Sequence, residues 1–151
     1  MADKTKKDKD DSPNEPRVFV YGTLKAGKPN FRALEGAEFL GRCCLHGRYT
    51  MVSLGWYPAV IEHVDPSAPV RFISGEVYRV NDDILHTLDI IEGHPNYYTR
   101  KKVETPFKKA WVYMLPPQYL VGRTVLEDGM WQPSDSERDF MRSLLSQSAG
   151  I

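Results

Sequence analysis

The chain has 151 residues, 41% of them hydrophobic, which allows one sizeable core and is too short to suggest two. Lysine plus arginine and aspartate plus glutamate both total 20, so no global field recruits nucleic acid or an anionic membrane. No stretch approaches the ~18 apolar residues of a membrane span, and the start of the chain lacks the apolar region of a secretory signal. A cytoplasmic protein with no nucleic-acid or membrane partner is expected.

Residues 1–16, MADKTKKDKDDSPNEP, mix both charge signs with two prolines and hold no apolar residue beyond Met1 and Ala2. They are expected to form a disordered lead-in, with residues 17–151 as a single domain. Residues 17–21 read as a buried strand stopped by Gly22. A second extended region runs from Glu38 towards Met51; it carries the only cysteines, Cys43 and Cys44, whose adjacency predicts ordinary reduced thiols. Residues 57–63 and 71–80 (RFISGEVYRV) are the next strands, each bounded by Gly, Pro or Asp.

A helix follows. Asn81 is a fitting N-cap, Asp82 and Asp83 suit the positive end of the dipole, and Ile84, Leu85, Leu88 and Ile91 form an apolar stripe that Gly93 ends. Residues 97–106 and 109–115 read as two further strands. A capping box at Ser134 and Glu137, continued by Phe140, Met141, Leu144 and Leu145, predicts a C-terminal helix. Six strands with few helices point to an α+β domain built on a curled sheet or barrel.

Two places carry chemistry. Gly22-Thr-Leu-Lys-Ala-Gly27-Lys28 has the spacing of a phosphate-binding P-loop, but position 29 is Pro, where magnesium would need a hydroxyl and a starting helix would need an N–H. That chemistry is excluded. What remains is a strand stopping abruptly in Tyr-Gly-Thr-Leu, either a plain turn or a run of amides able to hold a carboxylate or an oxyanion. The second place is Glu92, four residues after Leu88 and eight after Ile84, so helical spacing sets a carboxylate on the core-facing stripe. Burial and the negative end of the dipole would both raise its pKa towards that of a neutral-pH proton acceptor. The opposing reading is a frayed helix end, or a simple ion pair with Arg100.

The segments VFVYGTLKAGKPN, YPAVI, GEVYRV, LDIIEGHPNYYTR and WVYM, in this order, resemble the gamma-glutamylcyclotransferase-like family, closest to its gamma-glutamylamine cyclotransferase (AIG2-like) branch. The likeness covers about residues 17–115. It implies a small mixed β-barrel with a pocket at one end. It further implies that Tyr21, Gly22, Thr23 and Leu24 hold the gamma-glutamyl part of a substrate, that Glu92 is the general acid/base, and, more loosely, that Tyr98 lines the pocket. Ala26 departs from the basic residue common in that branch, which bears on recognition of the leaving amine. The implied reaction is intramolecular aminolysis of a gamma-glutamylamine to 5-oxoproline and a free amine, with a small-molecule substrate and no cofactor.

The histidines, His46, His63, His86 and His94, lack metal-ligand spacing, so no metal is expected. Trp56, Trp111 and Trp131 come without a basic stripe and read as core or pocket wall. The cluster Tyr97, Tyr98, Arg100, Lys101, Lys102 is either a solvated strand face or a seat for an anionic substrate end. No heptad seam is present, and a monomer is expected. A noncatalytic module that kept the pocket to hold a small carboxylate or a partner's acidic terminus is the alternative function.

Overall fold

The computed structural model describes residues 15–22, 31–55 and 57–131. Thr23, Leu24, Ala26, Trp56, the expected C-terminal helix and all but the last two residues of the expected lead-in lie outside the described residues. In chain order the elements are β1 (Arg17–Val20), a 3-10 turn (Phe31–Leu34), β2 (Glu38–Gly47), β3 (Tyr49–Ser53), β4 (Pro58–Glu62), β5 (Arg71–Arg79), α1 (Asp82–Glu92), β6 (Thr99–Val103), β7 (Ala110–Met114), a second 3-10 turn (Pro117–Leu120) and β8 (Thr124–Val125).

The strands form one curled, mixed sheet in the order β2-β5-β1-β7-β4-β3-β8, with β6 also on β7, closing into a half-barrel. Among the described residues, eight strands replace the six expected. The extended region from Glu38 breaks at Arg48, because β2 pairs with β5 whereas β3 pairs with β4, on the far side of the sheet. The other addition, β8, has two residues, too few to show any period.

Strand alternation fills both faces. Val18, Val20, Ala59, Ile61, Tyr113 and Leu115 pack towards Leu88 of α1, while Phe19, Tyr21, Val60, Val112 and Met114 pack with Trp131 in the second core cluster. Being buried on both faces, these strands read in sequence as unbroken apolar runs such as VFVY and PAVI. Gly75 makes room for this: a Cβ there would lie 2.4 Å from the Phe19 ring and 2.5 Å from the Val20 carbonyl oxygen.

α1 begins and ends as its sequence predicts. Asn81 Oδ1 accepts from the Ile84 amide at 2.8 Å, and Gly93, at φ 70°, turns the chain so that the Gly93 and His94 amides close onto the Ile90 and Asp89 carbonyls. The apolar stripe holds at Leu88, fully buried, and at Ile84 and Leu85, partly buried. Ile91 departs from it and is 42% exposed, because at the last helical turn the core gives way to a cavity. Among the described residues, no helix is long and apolar enough to cross a membrane.

Candidate active site

The sheet has a fork. One edge of β7 is shared by two strands in succession: Val18 of β1 pairs in parallel with Trp111, and Val60 of β4 pairs in parallel with Met114, while β6 takes the opposite edge. Between the two pairings the ladder would leave backbone groups without partners. Tyr21, the first residue past β1, fills the gap with its phenol, which donates to the Tyr113 carbonyl at 2.6 Å and accepts from the Val60 amide at 3.1 Å. A side chain thereby replaces one rung of the sheet.

Beside this fork lies a cavity of about 230 Å3. That is below the roughly 300–1,000 Å3 of drug-sized sites and suits a group the size of an amino acid. Its walls come from the end of β1 (Phe19 to Gly22), the start of β4 (Tyr57, Pro58), the end of α1 (Ile91, Glu92), the following loop (Tyr97, Tyr98) and Tyr113 of β7. Gly22 is needed here for space: a Cβ would sit 2.8 Å from the ring of Pro58. The loop after α1 is folded back on the helix end by two backbone bonds, Tyr97 amide to Gly93 carbonyl and Tyr98 amide to Glu92 carbonyl. Glu92 and Tyr98 therefore face the same space although six residues separate them.

Glu92 is partly buried, and its carboxylate has no hydrogen-bond or ion-pair partner among the described residues. Burial alone pushes its pKa from 4.5 to about 7. The phenols around it are engaged elsewhere. Tyr21 is spent on the sheet, Tyr98 donates to the Pro58 carbonyl at 2.7 Å, and Tyr57 and Tyr97 share a hydrogen bond of 3.1 Å. Burial, and next the nearby charge of Glu92, holds the Tyr21 phenol far above its ordinary range; burial does the same for Tyr98, reinforced by Tyr21 and Glu92. These hydroxyls stay protonated.

Arg100 does not pair with Glu92. It grips Asp89, one helical turn earlier, through Nε at 2.8 Å and Nη2 at 3.3 Å, and Tyr113 donates to the same carboxylate at 2.7 Å. Burial raises the Asp89 pKa, but the hydrogen bonds from Arg100 and Tyr113 outweigh it and hold the group below the usual carboxylate range. Lys101 is tied to Glu62 and Lys102 lies over Trp111, so the basic cluster around Arg100 does not open into the cavity.

Of the residues singled out from sequence, Tyr21, Gly22, Glu92 and Tyr98 line one cavity, and Thr23 and Leu24 lie outside the described residues. Tyr57 and Tyr113 join them without having been singled out as site residues, and Tyr97 joins them from the cluster offered as a seat for an anionic substrate end. Their signal was present, because each lies in a segment (YPAVI, PNYYTR, WVYM) that converges on Glu92. Among the described residues, no group of three or more His, Cys, Asp or Glu side chains is placed to hold a metal ion.

A mixed half-barrel of this topology with one packed helix is the gamma-glutamylcyclotransferase-like fold, shared with a mouse AIG2-like protein at a TM-score of 0.63 and 24% identity, over 80% of this chain and 90% of that one. Residues 18–133 match the family model described as gamma-glutamyl cyclotransferase, AIG2-like, and the chain belongs to that family. It is 35% identical over 114 residues to a Vibrio cholerae protein named "Putative gamma-glutamylcyclotransferase", covering 76% of this chain and 93% of that protein. The solution structure of Escherichia coli ytfP is similar at a TM-score of 0.59 and 32% identity, over 76% of this chain and 95% of that one.

Proposed function

We propose that this protein cleaves a gamma-glutamylamine by intramolecular aminolysis, releasing 5-oxoproline and the free amine, with Glu92 as general acid and base. The observation that carries this reading is an unpartnered carboxylate of pKa about 7 facing a small cavity across from the end of β1.

The substrate supplies its own nucleophile. Its alpha-amine nitrogen attacks the gamma-carbonyl carbon, a five-membered ring closes through a tetrahedral oxyanion, and the bond from that carbon to the departing nitrogen breaks. The site must fold the chain into an attacking conformer, and well-oriented intramolecular reactions gain up to about 7–11 kcal/mol in this way. Tyr21, Gly22, Thr23 and Leu24 would bind the gamma-glutamyl portion, with loop amides facing the oxyanion, where one donor is worth about 3 kcal/mol in other enzymes. Glu92 takes the proton from the attacking nitrogen and returns it to the leaving one. A pKa near neutrality lets one carboxyl do both. Tyr98, fixed by its bond to Pro58, would form the wall against which the ring closes. The reaction needs no cofactor.

Incubating the protein with gamma-glutamyl-epsilon-lysine and a panel of other gamma-glutamyl amides, and assaying 5-oxoproline, tests the reading. Turnover by the wild type that Glu92→Gln abolishes while substrate still binds is the expected result. A wild type that binds such amides and turns none of them over is a binding module.

A further inference from the structure

At the opposite end of α1 from Glu92, about 15 Å along the helix axis, a second and separate groove of about 620 Å3 shares no lining residue with the cavity. Its walls carry five basic side chains, Arg17, Arg100, Lys102, Lys108 and Lys109, against three acidic ones, Glu15, Asp82 and Glu104. Two of the bases are already matched: Arg100 by Asp89, and Lys109 by Glu104 at 3.9 Å. Lys102 rests on the Trp111 ring at 5.1 Å and has no carboxylate partner among the described residues.

Arg17 is the anomaly. It is 6% exposed, and its Nε has no hydrogen-bond partner among the described residues. Its neighbour across the ladder is another arginine, Arg79, whose guanidinium is bound to Glu38 at 2.7 Å. A buried guanidinium donor left without an acceptor is costly, and two like charges set opposite each other on a sheet add to the cost. A planar fork of donors is the arrangement that recognises carboxylate or phosphate oxygens.

We propose that this groove binds a phosphate group, free or as a monoester, with Arg17 at its floor and Lys102 at its rim. With Arg100 set against Asp89 the charges of the lining nearly balance, so the donor geometry selects the ligand: a tetrahedral phosphate presents oxygens to Arg17 and Lys102 together, whereas the two oxygens of a carboxylate are taken up by one guanidinium fork. The proposal does not depend on the cyclotransferase reading, since it concerns different residues and a different ligand.

The test is a titration of the full-length, 15N-labelled protein with inorganic phosphate, phenyl phosphate and acetate, following the Trp111 indole and Arg17 Nε–H signals. Saturable shifts with either phosphate ligand, persisting at raised salt, are expected; acetate should produce none comparable. Lys102→Gln and Arg17→Met should each weaken phosphate binding about tenfold or more, the worth of one charge-assisted hydrogen bond. Tighter binding of the ester identifies a phosphorylated small molecule, whereas equal binding identifies phosphate itself. Shifts that fail to saturate, that vanish with salt or that acetate reproduces overturn the proposal. Should Arg17→Met fail to fold, Lys102→Gln binding phosphate as the wild type does overturns it equally.

Discussion

The last two turns of α1 carry two carboxylates under opposite regimes. Asp89 faces the β6 and β7 side, where Arg100 and Tyr113 give it three hydrogen bonds and keep it ionised. Glu92, three residues on, faces the cavity among tyrosines whose hydroxyls are directed to backbone, to one another or to Asp89, and burial alone brings its pKa to about 7. Neighbouring acids pushed apart in this way divide their tasks, one structural and one able to exchange a proton. The lesson is that a carboxyl of near-neutral pKa is made here by withholding partners, not by adding them.

The sharpest way to break the contrast is Glu92→Gln, which keeps shape and removes the proton acceptor. Turnover should fall about 100- to 10,000-fold with KM little changed. In the wild type kcat/KM should rise with pH through about 7, as Glu92 ionises, and a rate independent of pH in that range would refute the assignment.

Next in size is Tyr21→Phe. It strands the Tyr113 carbonyl and the Val60 amide at the fork, and at about 1–3 kcal/mol per buried orphan the loss in urea denaturation should be roughly 2–6 kcal/mol. A third measurement uses the pH dependence of stability. The folded protein holds the Glu92 proton up to about pH 7 and the unfolded chain only to about 4.5, so folding is favoured at low pH and loses up to about 3 kcal/mol as pH rises from 4.5 past 7. Glu92→Gln should flatten that slope and be the more stable protein at pH 8.

The smallest effect sharpens the other side. Asp89 contributes stability that is present above its unfolded pKa of 3.8 and is lost as pH falls through its lower folded value. Asp89→Asn should cost about 1–2 kcal/mol at neutral pH and remove that acid limb, since the pair is four-fifths buried but still in reach of solvent. An Asp89→Asn variant as stable as the wild type would mean that Arg100 and Tyr113 had found other partners.

Local signals made α1 and Glu92 legible: the cap at Asn81, the stop at Gly93 and the spacing from Ile84 through Leu88 are all set within a dozen residues. The partner of Arg100 was not. Asp89 and Glu92 are a turn apart, and the choice between them depends on β6 lying on β7 with Arg100 opposite Tyr113. No periodicity in either strand encodes that. The break at Arg48 was hidden for a similar reason, since it depends on which distant strand each half joins. The role of Tyr21 in the sheet could not be foreseen either, because it exists only where β1 and β4 meet the same edge of β7. The family likeness implied that Tyr21 helps hold a gamma-glutamyl group, whereas the structure adds that its hydroxyl is occupied by the sheet.

That occupied hydroxyl limits how the protein could be adapted. Because the floor of the hollow and the seam of the half-barrel are one and the same tyrosine, a change made there to admit a bulkier guest would loosen the scaffold at the same stroke. Room for new chemistry lies instead along the lip, at Tyr57 and Tyr97, whose hydroxyls, among the described residues, hold only each other.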